Sequence, residues 1–128
     1  MIKNAKLENL FKLSSKITVY VPATININEQ IDNTKYVDSM ASLFSECFGG
    51  STSSAALGYW TSPSAGLVKE KTTIVFAYCA EADLQKNVEK IIDACQALKD
   101  ELKQDSIAME INGGNVFYIV VHATLKRV

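Results

Sequence analysis

The strongest strand signal in the chain is LVKEKTTIVFAYC, residues 67–79. This stretch is rich in β-branched and aromatic residues, which favour extended backbone because their side chains fit a pleated, half-buried surface. From residue 74 to residue 79 both sides of the predicted strand are apolar or aromatic. A strand that is apolar on both sides predicts a sheet that makes contacts on both of its faces.

Helical patterns flank this strand in the chain. Downstream, a helix is predicted over residues 81–104, because apolar side chains recur at alternating four- and three-residue intervals from Leu84 to Leu102. Upstream, a second helix is predicted to start at the N-cap candidates of residues 32–34 and to end at Gly49-Gly50. The central strand is therefore predicted to lie between two amphipathic helices.

Four further strands are predicted around these helices. KITVYVPA alternates apolar and polar side chains and ends at Pro22, because proline cannot donate to a ladder. A weakly patterned strand precedes a turn at residues 63–66, and a hairpin is predicted around Asn112-Gly113-Gly114-Asn115, which tolerates positive φ angles. The predicted strands are 16–23, 51–61, 105–111 and 116–125.

The order of these elements predicts an α+β fold. It is a ferredoxin-like sandwich, in which an antiparallel sheet carries the two main helices on one face and a C-terminal hairpin extends the sheet. Residues 1–14 are predicted to form an N-terminal amphipathic helix, and residues 15–128 a single α+β domain. Between the first strand and the first main helix, residues 23–34 are predicted to form an extended arm.

Composition bounds the class of protein. The chain has 128 residues, of which 48% are apolar, and its 13 basic and 14 acidic side chains give a net charge of −1. This balance argues against a strongly cationic nucleic-acid binder. Neither a signal peptide nor a membrane span is predicted, because no apolar stretch is long enough. The odd set of Cys47, Cys79 and Cys95 fits reduced, buried thiols, so a cytoplasmic location is predicted.

The two-sided apolar strands also bear on partners. Residues 116–121 repeat the pattern of residues 74–79, and an uncovered face of this kind would be a larger apolar patch than monomers usually carry. A homo-oligomer, a dimer or larger, is therefore predicted, and a ligand cavity between strands is the alternative. A small ligand or a protein partner fits this surface. Neither a membrane nor a nucleic acid is predicted as a partner, since Arg127 is the only arginine.

No established catalytic motif is present, so catalytic candidates rest on single residues. Glu70 lies on the same side of its strand as Ile74, Phe76 and Tyr78, where a carboxylate among apolar groups has its pKa raised or holds a buried donor. His122 is the only histidine and lies at the end of the last predicted strand. No metal site and no cofactor are predicted, and the alternatives for both residues are purely structural roles.

A binding surface is predicted around the hairpin turn that precedes the central strand. The indole N–H of Trp60 needs a hydrogen-bond partner if it is buried, and aromatic rings beside lysines can stack on a base or another ring. Packing within the hairpin is the alternative. The candidate ligand-binding or partner-binding residues are Tyr59, Trp60, Lys69, Glu70, Lys71 and Tyr78.

A short motif resembles an uncharacterised bacterial family of small α+β proteins. It consists of Gly58-x-Trp60, Gly66, Glu70 and the β-branched run at residues 72–75, followed after the second helix by Gln104-Asp105-Ser106-Ile107. The similarity covers roughly residues 36–108. It implies a ferredoxin-like fold with a G-x-W…G…E core and brings no activity with it.

Three hypotheses of function follow from these patterns. The first is a non-enzymatic binding module, a homodimer that captures a small ligand or a protein partner. The second is a phage or mobile-element accessory protein that inhibits a host-defence system or sequesters its nucleotide signal. The third is a small cofactor-free enzyme of the dimeric α+β barrel type, with Glu70, Trp60, Tyr78 and His122 as its candidate residues.

Overall fold

The computed structural model describes residues 2–26 and 29–120. Three helices and seven strands follow one another along this part of the chain. The predicted strand at 67–79 and the helix at 81–104 are present with nearly the predicted bounds. In chain order, the elements are α1 (Ala5–Glu8), β1 (Ser15–Pro22), β2 (Thr24–Ile25), β3 (Glu29–Gln30), α2 (Thr34–Phe48), β4 (Thr52–Ser62), β5 (Gly66–Cys79), α3 (Glu81–Glu101), β6 (Ser106–Ile111) and β7 (Asn115–Val120).

The sheet has five antiparallel strands in the order β4-β5-β1-β6-β7. Its central strand is β1, in which Val19 pairs with Val75 of β5 on one side and with Met109 of β6 on the other. The fold is therefore α+β with a five-stranded antiparallel sheet and three helices, and the predicted fold class is confirmed at that level.

The core lies between the sheet and its two long helices. Every second residue of β1, namely Ile17, Val19 and Val21, is fully buried on the side that faces α2 and α3. Phe44 of α2 and Ile91 of α3 are also fully buried and belong to the same cluster. The buried side of β1 and the apolar stripes of α2 and α3 meet here. These two helices therefore cover one face of the sheet and leave its other face uncovered by either of them.

Two turns show why the elements end where they do. Gly49 ends α2 in the left-handed conformation, with φ of 87°, and its N–H donates to the Ser45 carbonyl. At the β6–β7 turn, Asn112 has φ of 57° and exchanges two hydrogen bonds with the backbone of Lys16, one of them through its side-chain Oδ1. The predicted helix stop and hairpin turn are both confirmed, and the second also anchors the turn to β1.

The N-terminal helix is much shorter than the pattern of residues 1–14 predicts. It covers only Ala5–Glu8, and Asn4 caps it by accepting from the N–H groups of Lys6 and Leu7. Every side chain from residue 2 to residue 14 is exposed. An amphipathic helix of this length is marginal unless its apolar side is buried, which explains the short helix.

The predicted arm at residues 23–34 is pinned to the domain rather than extended from it. The strands β2 and β3 pair with each other, and the N–H of Ile31 donates to the Ala23 carbonyl at 2.9 Å. The Gln104 side chain donates to the Thr24 carbonyl, which ties the arm to the end of α3.

None of the helices in the described part of the chain is long and apolar enough to cross a lipid bilayer.

Candidate functional site

The sheet face turned away from α2 and α3 carries most of the candidate chemistry. We call it the open face. Strand pairing places side chains from all five strands of this sheet on it, because directly paired residues share a face. Its members include Lys16, Thr18, Tyr20, Trp60, Val68, Glu70, Phe76, Tyr78, Glu110 and Tyr118.

At one end of the open face, β4 and β5 project beyond the rest of the sheet. Pairing of β1 with β5 stops at Thr72, whereas the β4–β5 pairing continues to the turn between Ser62 and Gly66. We call this two-stranded projection, residues 57–71, the ribbon. A two-stranded hairpin alone is marginally stable in water, so the ribbon depends on what it contacts.

Glu70 and Trp60 meet at the base of the ribbon. Gly58 pairs directly with Glu70, and Trp60 lies two residues further along β4 on the same face. The indole Nε1–H of Trp60 donates to Oε1 of Glu70 at 3.0 Å. Because Gly58 has no side chain, the flank of the Glu70 carboxylate stays open. The indole therefore orients a half-buried carboxylate, and among the described residues no hydrogen bond is made to its second oxygen.

A hollow of about 250 Å³ adjoins this carboxylate. Strand β1 contributes Tyr20 and Pro22 to its wall, and the start of β6 contributes Ser106. Gln104 also lines it, and its amide group is held by the carbonyls of Thr24 and Leu102. The hollow thus combines one acid, Glu70, and one lysine, Lys71, with several neutral hydrogen-bonding groups.

A second acid stands beyond Tyr20. The Tyr20 hydroxyl donates to Oε1 of Glu110 at 2.9 Å across the β1–β6 pair. This hydrogen bond to Glu110 raises the pKa of Tyr20 above its ordinary value, and partial burial adds to the effect. Tyr20 consequently stays protonated at neutral pH and acts as a hydrogen-bond donor on this face.

The predicted binding residues divide between the two faces of the ribbon. Tyr59 pairs directly with Lys69, so both lie on the face opposite Glu70, and Lys71 pairs with Leu57 on that same face. Tyr59 and Lys69 are exposed. The structure therefore brings Trp60 to Glu70 and separates Tyr59 and Lys69 from that carboxylate, whereas Lys71 lines the hollow beside it.

Tyr78 shares the open face with Glu70 but lies far from it. Eight residues of extended strand separate them, about 26 Å. At that end Lys16 is placed over the ring of Phe76, 4.5 Å from its centroid, and 5.4 Å from that of Tyr78. His122 lies outside the described residues.

Two of the three cysteines are not placed for reaction, whereas Cys47 is half-buried rather than buried as predicted. Cys79 and Cys95 are buried in the core. Burial raises the pKa of Cys95 to about 12, and burial followed by the charge of Asp83 raises the pKa of Cys79. A thiol held in its protonated form is a poor nucleophile and metal ligand. Within residues 2–26 and 29–120, no group of three His, Cys, Asp or Glu side chains is arranged to hold a metal ion.

Sequence reasoning missed Tyr20, Gln104 and Glu110. The alternation in β1 does place Tyr20 opposite the buried valines, but its partner depends on the β1–β6 register. The hydrogen bond joins residues 90 positions apart. No local signal reveals such a pairing, although Glu110 has a detectable mark as the one charged residue in SIAMEI.

Comparison with known proteins gives matches at the level of structure alone. The chain matches no protein-family profile, and no curated protein matches it significantly. It is similar to a phage SAM lyase solved in complex with S-methyl-5'-thioadenosine, with a TM-score of 0.63, 17% identity and coverage of 90% of this chain and 95% of that one. The apo phage SAM lyase gives a TM-score of 0.62 at 16% identity, covering 89% and 98%. At these identities the likeness shows a shared fold.

These matches correct the leading functional hypothesis. The sequence favours a non-enzymatic binding module. That prediction is wrong, because the two structures that share the fold over nearly their whole length are those of an enzyme. The description as a binding protein fails with it. The absence of a catalytic motif misled the sequence reasoning, since an active site can be assembled from single residues on separate strands.

Proposed function

We propose that this protein is an enzyme that cleaves S-adenosylmethionine, SAM, and releases S-methyl-5'-thioadenosine. The observation that carries the proposal is the chain-wide structural likeness to the phage SAM lyase, one form of which holds S-methyl-5'-thioadenosine. The coverage of 95% of that chain supports a likeness of whole domains rather than of one motif.

The open face offers groups suited to this substrate. SAM carries a sulfonium cation, and cations are stabilised by carboxylates and by the faces of aromatic rings. Glu70 and Trp60 supply one of each, joined by a 3.0 Å hydrogen bond. We assign the sulfonium to this pair. The Tyr20 hydroxyl proton and the Gln104 amide N–H groups are already donated to Glu110, Thr24 and Leu102, so the Tyr20 oxygen and Gln104 Oε1 serve as acceptors for N–H and O–H groups of the substrate.

The atom balance limits the role of Glu70. Breaking the bond between the sulfur and the four-carbon chain leaves its electron pair on sulfur, which gives neutral S-methyl-5'-thioadenosine. The four-carbon fragment then closes on its own carboxylate to form homoserine lactone, or loses a β-proton to form vinylglycine. Only the second route needs a base, so Glu70 acts by charge and orientation in the first and accepts a proton in the second.

The reaction is tested by incubating the purified protein with SAM. We expect S-methyl-5'-thioadenosine to accumulate in equal amounts with one of the two isomeric fragments, which chromatography against both standards distinguishes. The control is the same protein after heat denaturation, because SAM also decays slowly in solution. Product formation no faster than in this control contradicts the proposal.

We also propose that the enzyme is a homo-oligomer. The hollow beside Glu70, at about 250 Å³, is below the roughly 300 Å³ at which ligand pockets usually begin. Around it the ribbon exposes Leu57, Tyr59, Trp60 and Leu67 on its two faces. A second copy packed on the ribbon would bury these side chains and supply the missing wall of the pocket.

Native mass spectrometry tests this arrangement. We expect a dimer or a larger oligomer of the 14.0 kDa chain, and we expect Leu67→Asp with Tyr59→Asp to shift it toward the monomer while the monomer stays folded. A monomer at micromolar concentration contradicts the proposal.

We also propose that the fold is a ferredoxin-like sandwich. The order β4-β5-β1-β6, with α2 and α3 covering one face, supports a ferredoxin-like sandwich extended by β7. A cytoplasmic location, predicted from the cysteines, is proposed with it.

A further inference from the structure

The N-terminal segment, residues 2–13, exposes more apolar surface than a solvated tail needs. Ile2 is 78% exposed and Phe11 88%, and Leu7, Leu10 and Leu13 are exposed as well. Leu7, Leu10 and Phe11 follow the three- and four-residue spacing of a helix face, yet only Ala5–Glu8 is helical. This is the pattern of a segment that completes its helix when a partner buries its apolar side.

A groove of matching chemistry runs between α2 and α3 on the side away from the sheet. Its volume is about 430 Å³, and its apolar lining comes from Tyr36, Met40, Leu43, Ala94 and Ala97. Small side chains on α3 leave room there, because alanine at positions 94 and 97 fills little of the space between the helices. Grooves of this kind take an amphipathic helix through residues spaced three and four apart.

Charge complements this fit. The segment carries Lys3, Lys6 and Lys12 against the single acid Glu8. The two long helices together carry eight acidic and four basic side chains, and Glu101 lies in the groove itself. The basic segment and the acidic helix layer therefore attract each other, an effect that also disfavours binding of the helix layer to an anionic membrane.

Chain geometry determines whose groove is filled. The segment joins β1 at Ser15, which pairs with Cys79 just before the start of α3. The groove begins on α3 at Ala94, thirteen residues on from Glu81 and thus about 20 Å along the helix. If the segment is helical through Phe11, the four Cα–Cα steps from Phe11 to Ser15 span at most about 14 Å. This is less than the distance to the groove, so Leu7, Leu10 and Phe11 cannot all enter the groove of their own copy.

We propose that residues 2–13 of one copy dock as an amphipathic helix in the α2–α3 groove of a second copy. This contact is separate from the ribbon and from the proposed reaction, so its test does not depend on either of them. It buries the apolar side of the segment and places Lys6 and Lys12 near the acids that flank the groove.

Mixed-isotope cross-linking tests the contact. Unlabelled and ¹⁵N-labelled full-length protein are mixed at low concentration, concentrated together and treated with a zero-length carbodiimide, which joins lysines to carboxylates. We expect peptides that link Lys3, Lys6 or Lys12 to Glu101 in mixed-isotope pairs. Links found only within one isotope place the segment in its own groove and overturn the proposal.

Two matched variants make the result specific. Ala97→Arg places a large cation in the groove, and Ile92→Arg makes a similar change at an exposed apolar site of α3 outside the lining. We expect the first to lower the mixed-isotope links at least tenfold and the second to leave them within twofold. Equal losses, or no links in the unaltered protein, overturn the proposal. So does binding to anionic vesicles that Leu10→Asp abolishes while the cross-links are absent.

Discussion

Replacing Glu70 with Gln is expected to lower the rate of SAM cleavage at least about 100-fold, whichever product is formed. Charge stabilisation and proton transfer each contribute about two orders of magnitude or more at an active site. Gln is nearly isosteric with Glu and still accepts the hydrogen bond from Trp60, so the fold and the orientation of the side chain are retained. The measurement is kcat/KM for SAM, with thermal unfolding as the check on folding.

Two comparisons locate this effect. Glu89→Gln makes the same substitution on the exposed side of α3, and we expect it to leave kcat/KM within twofold. Trp60→Phe keeps an aromatic ring, although a smaller one, and removes the N–H that bonds Glu70. Since a hydrogen bond to a charged group contributes about 1.5 kcal/mol, a loss of about tenfold is expected. If Glu70→Gln retains the activity of Glu89→Gln, the reaction does not depend on Glu70.

Replacing Phe44 with Ala is expected to destabilise the fold by about 3–5 kcal/mol. Phe44 is fully buried between α2 and the sheet, and its ring packs edge-on against that of Phe48 at 5.7 Å. Its removal leaves a cavity that the helices and the central strand cannot fill without moving. Chemical denaturation measures the free energy of unfolding, and a fall in Tm of the order of 10 °C is the thermal counterpart.

Phe11→Ala is the matched control for this substitution. It removes the same side chain from a position that is 88% exposed, and a change within about 0.5 kcal/mol is expected at concentrations too low for the N-terminal segment to dock on a second copy. A comparable loss of stability at both positions would mean that the core does not lie where the fold places it.

The local elements of this fold could be predicted from the sequence because each has a local signal of its own. The β-branched and aromatic residues of β5 and the four-three spacing in α3 give those elements with bounds close to the observed ones. The α3 helix ends at Glu101 rather than at residue 104, since Lys103 has a positive φ of 53° that a continuing helix does not allow. Periodicity indicates where a helix is favoured, whereas capping determines where its last turn ends.

Only part of the candidate site could be predicted, because some of its contacts join residues that are far apart in the sequence. Glu70 and Trp60 belong to one hairpin, so their proximity follows from a turn of known position. Tyr20 and Glu110 meet only through the pairing of β1 with β6, and nothing local encodes that register. The N-terminal pattern predicts a helix longer than the observed one. Its helical spacing is real, but an amphipathic helix of this length needs a surface that buries its apolar side.

The central place of β1 has a consequence for biosynthesis. Strand β1 is synthesised before both of its partner strands, and the contact of Tyr20 with Glu110 spans 90 residues of chain. At about 5–20 residues per second, the ribosome takes roughly 5–18 s to supply that second partner. During that interval, strand β1 presents an unpaired edge. Cotranslational folding of this domain is therefore limited by the arrival of the β6–β7 hairpin, and protection by chaperones matters most before then.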